Sequence, residues 1–311
     1  MIKFIYVILM NLFRAPYMIP KMRREADHPE KYSVEERYAL ARHVIRLMKV
    51  TGGIHTKSYG TELLPTEGGY MMYPNHQGKY DALGIIYTHR EPCSLVMDKA
   101  KSNTILVREF VDLLQGKRLD KKDVRQALTI INEVSEEVKQ GKRYILFPEG
   151  GYEFNNKNHV CDFKAGSFKI ALKTKAPIVP VALIDSYKVF NSFCLGPVTT
   201  QVHYLKPILY DEYGGLKTHE IADLVKVRIQ EKLDEVLKPA EAPVGCLELL
   251  CELLFYKQLF VCQSLARATD LIGLKAMDAS PGNTRYHGAL HIWLRCVVDH
   301  RRWQRNASAS C

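Results

Sequence analysis

Residues 70–83 read YMMYPNHQGKYDAL. The apolar run 70–73 has the composition of a buried strand and stops at Pro74. Asn75 and His76 follow, then a short polar segment containing Gly78, then Asp81 and apolar residues again. On a helix, the spacing from His76 to Asp81 would put the side chains about 140° apart. On a strand it would put them on opposite faces. The two side chains meet only if the chain leaves a strand, loops at His76 and starts a helix near Asp81. Gly78 makes such a loop easy. A strand running through a polar loop into a helix is the unit from which α/β folds are built.

The rest of the chain repeats that alternation. Strand-like runs lie at 54–59, 94–97, 144–147, 178–184 and 198–205. Ser33-Val-Glu-Glu36 is a capping box, and Tyr38, Ala41, Val44, Ile45 and Met48 follow at helical spacing until Gly52 and Gly53. A second helix carries Val124, Leu128, Ile131, Val134 and Val138 and ends at Gly141. A third runs over 218–237 and stops before Pro239. This order predicts an α/β fold with a mixed, largely parallel sheet flanked by helices. Ligands of such sheets sit beyond strand ends. Three of those ends carry chemistry or prolines: Pro74-Asn75-His76, Phe147-Pro148-Glu149-Gly150 and Val179-Pro180-Val181.

The flanks differ from the centre. Lys3 precedes a mostly apolar run, 4–13, which Arg14 interrupts; 15–20 is apolar again and Lys21, Arg23 and Arg24 follow. Arg14, Pro16 and Pro20 spoil the ~20 apolar residues that a spanning helix needs. Residues 1–32 are therefore expected to lie in a membrane interface with the cations on anionic headgroups, a helix buried against the domain being the alternative. Residues 33–239 form the expected main domain. In 240–311, the stretch 247–260 reads as an amphipathic helix and the rest as an irregular tail. The eight cysteines include no C-x-x-C pair and no zinc spacing, which points to a reducing compartment. The net charge of +10 favours an anionic partner: nucleic acid, a membrane surface or a phosphorylated substrate. No stacking platform or reading helix accompanies the charge, so nucleic acid ranks last.

A carboxylate on one imidazole nitrogen leaves the other as a base and stabilises the imidazolium that forms. His76 and Asp81 are thus two thirds of a catalytic triad, and no G-x-S-x-G elbow supplies the third. The pattern suits a reaction whose nucleophile is a substrate hydroxyl attacking a carbonyl carbon. The pair alone is weak evidence. Its neighbours raise its weight: Glu149 is followed by Gly150 and Gly151, a turn of the kind that can hold phosphate.

Asn75-His76-x4-Asp81, Phe147-Pro-Glu-Gly150 and Ile178-Val-Pro-Val181, in this order, resemble the glycerolipid acyltransferase family over about residues 35 to 238. Within it they are most similar to the 1-acylglycerol-3-phosphate acyltransferases of bacterial type. The resemblance implies that His76 is the general base and Asp81 its orienting partner. It also implies that Asn75, Glu149, Gly150, Gly151 and Tyr152 line the acceptor site and that Lys99 and Lys121 contact its phosphate. Lys121 stands where members carry arginine, and Gly151-Tyr152 stands where they often carry Thr-Arg. Tyrosine brings no charge, so the phosphate clamp must be built differently or the acceptor differs; Lys117, Arg118 and Lys122 are available to compensate.

The expected activity is acyl transfer from acyl-CoA or acyl carrier protein to the sn-2 hydroxyl of 1-acylglycerol-3-phosphate, giving phosphatidate. The donor is a substrate, and neither cofactor nor metal is implied. The expected place is the cytoplasmic face of a membrane, bound peripherally or monotopically. Two rivals stand beside it: an acyltransferase of the same fold acting on glycerol-3-phosphate or another lysolipid, and a lipid-binding module without catalysis.

Overall fold

The computed structural model describes residues 2–104, 106–152, 157–192 and 195–238. The amphipathic helix expected at 247–260 and the tail after it lie outside the described residues. Seven strands form one sheet: β1 (Ile54–Tyr59), β2 (Met71–Pro74), β3 (Ser94–Asp98), β4 (Lys117–Leu119), β5 (Tyr144–Leu146), β6 (Ile178–Ile184) and β7 (Val198–Tyr204). Their order is β1-β7-β6-β2-β5-β3-β4. All neighbours are parallel except β6 and β7, which pair antiparallel. The sheet is therefore mixed and largely parallel, and its five strands from β6 to β4 all deliver their C-terminal ends to one edge.

Strands β2 and β6 are buried along their whole lengths, which is why they read as continuous apolar runs. Alternation still sorts their neighbours. Met71 and Tyr73 pack on one face of the sheet with Val134, Ile221, Val225 and Ile229. Tyr70 and Met72 pack on the other with Ile45, Ile85 and Leu113. Strand β4 is absent from the sequence-based expectation, because Lys117-Arg118-Leu119 is short and polar and only its pairing with β3 makes it a strand.

Four of the helices matter here. Helix α3 (Val34–Gly52) follows α1 (Ile2–Asn11) and α2 (Ala15–Asp27), and α4 (Asp81–Thr88) follows β2. The expected capping box opens α3: Glu36 N–H donates to Ser33 Oγ at 3.1 Å and Ser33 N–H to Glu36 Oε2 at 2.7 Å. Gly53, in the left-handed region at φ 59°, closes it.

The N-terminal segment is two helices, with α1 and α2 bent by 89° about the break at Arg14, and no single described helix is long and apolar enough to cross a membrane. One side of α1 faces the domain: Val7 is buried, Phe4 meets Phe190 edge-on at 5.2 Å, and Lys3 Nζ donates to the Gly196 carbonyl at 2.5 Å. Ile2, Ile5, Leu9 and Met10 of α1, Leu12 and Phe13 of the turn after it and Tyr17 of α2 are exposed. Arg23, one of the cations expected on headgroups, stays more than half exposed and binds the buried Glu109 at 2.6 Å.

Candidate active site

The loop that leaves β2 turns back on the first residue of α4. Asp81 is buried, and its Oδ2 accepts from the backbone N–H of Gln77 at 2.5 Å and of Gly78 at 2.8 Å. The same oxygen receives His76 Nδ1 at 2.7 Å. Oδ1 takes the hydroxyl of Ser186, which stands just after β6. Position at a helix N-terminus adds to the preference for negative charge. The imidazole therefore holds its proton on Nδ1, and Nε2 is the nitrogen left available. Among the described residues nothing hydrogen-bonds Nε2, and the side chain of His76 is 17 % exposed. Ser186 is no triad nucleophile, since its hydroxyl lies on the carboxylate and not on the free ring nitrogen.

His76 is walled on two sides. Phe147 packs against its ring with centroids 4.2 Å apart, and Tyr152 meets it edge-on at 4.6 Å. Both belong to the turn after β5. Glu149, from that turn, accepts the backbone N–H of His76 at 3.0 Å. Burial pushes its carboxyl up to about 7, opposed by hydrogen bonds from His76 and Cys161 and reinforced by the charge of Asp81. Burial also raises the Tyr152 phenol, which hydrogen-bonds Asn191. Glu149 thus holds the histidine loop in place from behind.

Asn75, expected at the acceptor, is completely buried. Its amide donates to the Leu183 carbonyl at 3.1 Å and accepts the Leu183 N–H at 2.7 Å. Both polar atoms are committed to β6, so the residue fixes the loop and cannot reach a substrate. Gln77 ties the same two loops: it donates to the Leu183 carbonyl at 2.7 Å and to Asn158 at 2.9 Å, and accepts Ser186 N–H at 3.0 Å.

The two lysines expected at the phosphate come from the ends of β3 and β4. Lys121 reaches the site but arrives paired: Nζ lies 2.8 Å from Asp98 and donates to the Gly150 carbonyl at 2.5 Å. The Lys121 ammonium in turn holds the Asp98 carboxyl below its usual range. Lys99 is more exposed and sits 4.0 Å from Asp120. Of the compensating cations, Arg118 binds Asp112 at 2.6 Å and Lys117 binds Glu137 at 2.7 Å. Sequence reasoning missed Ser186, Gln77, Lys101 and Lys164. The last two bring their ammonium ends to the Gly150-Gly151 turn. No local pattern marks them, because each is defined by a neighbour distant in the chain.

A fold that gathers a histidine–carboxylate pair, a glycine turn and lysines beyond parallel strand ends defines a class, and the comparisons agree on which. Residues 55–184 match the family described as Acyltransferase. It is 29 % identical over 204 residues to the 1-acyl-sn-glycerol-3-phosphate acyltransferase of Saccharomyces cerevisiae, covering 63 % of this chain and 65 % of the relative. It is 30 % identical over 183 residues to the enzyme of the same description from Cocos nucifera, covering 58 % of each. The matches thus span just under two thirds of these relatives' lengths. The crystal structure of the 1-acyl-sn-glycerophosphate (LPA) acyltransferase PlsC from Thermotoga maritima shares the fold, with a TM-score of 0.59 at 19 % identity over 76 % of this chain and 96 % of that one.

Proposed function

We propose that this protein is an O-acyltransferase that moves a fatty acyl group from a thioester donor, acyl-CoA or acyl carrier protein, to the sn-2 hydroxyl of 1-acylglycerol-3-phosphate. The observation that carries the reading is the 2.7 Å bond from His76 Nδ1 to a carboxylate held by three further donors, with Nε2 left open. Nε2 takes the hydroxyl proton as that oxygen attacks the thioester carbonyl. Asp81 keeps the ring in the required tautomer and offsets the imidazolium charge. The tetrahedral intermediate collapses by breaking its C–S bond, and the thiolate recovers the proton from His76. The products are phosphatidate and free thiol. The curated relatives, whose descriptions specify this acceptor, support the choice.

The same reading places the protein on the cytoplasmic face of a membrane. Ile5, Leu9, Leu12, Phe13 and Tyr17 form the apolar surface of α1, α2 and the turn between them that would enter the interface. The test offers labelled acyl-CoA and acyl carrier protein with lysophosphatidate, glycerol-3-phosphate and other lysolipids, using wild-type protein and His76→Gln. Labelled phosphatidate from the wild type alone is the expected result. Undiminished transfer by His76→Gln overturns the mechanism, and vesicle binding without any transfer overturns the enzyme.

A further inference from the structure

Resting on the acyltransferase reading, we propose that Lys101 and Lys164 clamp the acceptor's phosphate monoester and make the site specific for it. Tyr152 supplies no charge at the place where the resemblance leads one to expect an arginine. The structure fills that electrostatic vacancy from elsewhere.

The turn Gly150-Gly151-Tyr152 touches the base through the edge of Tyr152 on His76. Lys164 lies flat on Gly150: a Cβ built there would stand 2.7 Å from Nζ, 2.9 Å from Cε and 3.1 Å from Cδ. Glycine at 150 thus serves twice, for its φ of 73° and for the space that the lysine occupies. Lys101 Nζ lies 4.0 Å from the corresponding Cβ position on Gly151 and 5.4 Å from the centre of the Tyr152 ring. Lys121 holds the turn by its carbonyl. Three ammonium groups from three separate segments therefore meet at one turn.

Their pairing differs. Lys121 has Asp98 and Lys99 has Asp120. Among the described residues, Lys101 and Lys164 have neither an ion pair nor a hydrogen bond at Nζ. Two unneutralised cations on one small turn repel each other, and a dianionic group between them reverses the sign of that interaction. The chemistry of the acceptor supplies the reach. Two carbons and one ester oxygen separate the sn-2 oxygen from phosphorus, so a hydroxyl at His76 Nε2 brings the phosphate to the turn that touches His76.

The experiment compares Lys101→Met, Lys164→Met and the double variant with the wild type. Both side chains are exposed, so the fold is retained. Each single change should raise KM for lysophosphatidate about tenfold and the pair about a hundredfold. The kcat, the KM for the acyl donor and the slower transfer to phosphate-free monoacylglycerol should stay within about threefold. Lys164→Arg, which keeps the charge, should restore most of the lost affinity. A double variant with the wild-type KM for lysophosphatidate overturns the clamp, and so does one equally impaired toward monoacylglycerol. Wild-type protein that prefers monoacylglycerol to lysophosphatidate overturns instead the acceptor reading on which the clamp rests.

Discussion

His76 stands just before α4 and His89 directly after it. Both hold a proton on Nδ1. In His89 that proton goes to the Glu91 carbonyl at 2.6 Å, and Nε2 accepts the Tyr70 hydroxyl at 2.6 Å. In His76 it goes to the Asp81 carboxylate, and Nε2 is open. His89 is completely buried, and burial pushes its ring down to about 4. It is a satisfied, neutral piece of the core. Two features separate the proposed base from a core histidine in one molecule: an ionised partner on one nitrogen and an unoccupied second nitrogen.

Exchanging the two gives the largest expected effect. His76→Ala should lower kcat by about two to four decades while leaving the urea midpoint nearly unchanged. His89→Ala should do the reverse. The rate stays within a few fold, but stability falls by about 2–4 kcal/mol, because a cavity forms and the Tyr70 hydroxyl loses its acceptor. If both variants lose rate alone, or both lose stability alone, the contrast is wrong.

Asp81→Asn tests the ionised partner. An amide has the shape but no charge, and its NH2 cannot accept the donors that meet the carboxylate. A loss of about two to three decades in kcat is expected. Unchanged kcat would reduce Asp81 to a structural residue.

The contrast also has a pH signature. The His89 ring has a folded pKa of about 4 against an ordinary 6.5. Its neutral form is favoured in the fold, so stability is present above pH 6.5 and is lost as pH falls toward 4, by about 3 kcal/mol. Glu149 acts oppositely. Its folded pKa of about 7 lies above the ordinary 4.5, so stability is present at low pH and is lost as pH rises through 7, by about 2–3 kcal/mol. In the wild type the two slopes offset each other between about pH 4.5 and 6.5. In urea titrations, His89→Gln should lose stability on raising pH across that window, and Glu149→Gln should gain it. Parallel curves for the two variants would refute the opposition.

The smallest expected effect is at Ser186. Ser186→Ala removes one of the four donors on Asp81 and should lower kcat about tenfold at constant KM. A change in KM alone would point to substrate contact instead.

The strand-loop-helix passage at residues 70–83, the capping box of α3 and six of the seven strands were legible because each is written in a local period or a local cap. The meeting of His76 with Asp81 was legible for the same reason, since a strand end that loops into a helix is the passage in which two side chains at this spacing can meet. Asn75 looked like part of the site because it adjoins His76, yet its amide pairs with Leu183, 108 residues away. Ser186 on Asp81 is a partner 105 residues away. Lys101 and Lys164 look like any solvated lysines until the Gly150–Tyr152 turn is set between them. The amino-acid sequence by itself determined the elements and the pairing of His76 with Asp81, because these depend on neighbours close by in the chain. Only the tertiary structure decided which residues hold that carboxylate, which cations remain unpaired and which histidine is sealed. Those depend on the strand order β6-β2-β5-β3-β4, whose C-terminal ends bring five distant loops to one place.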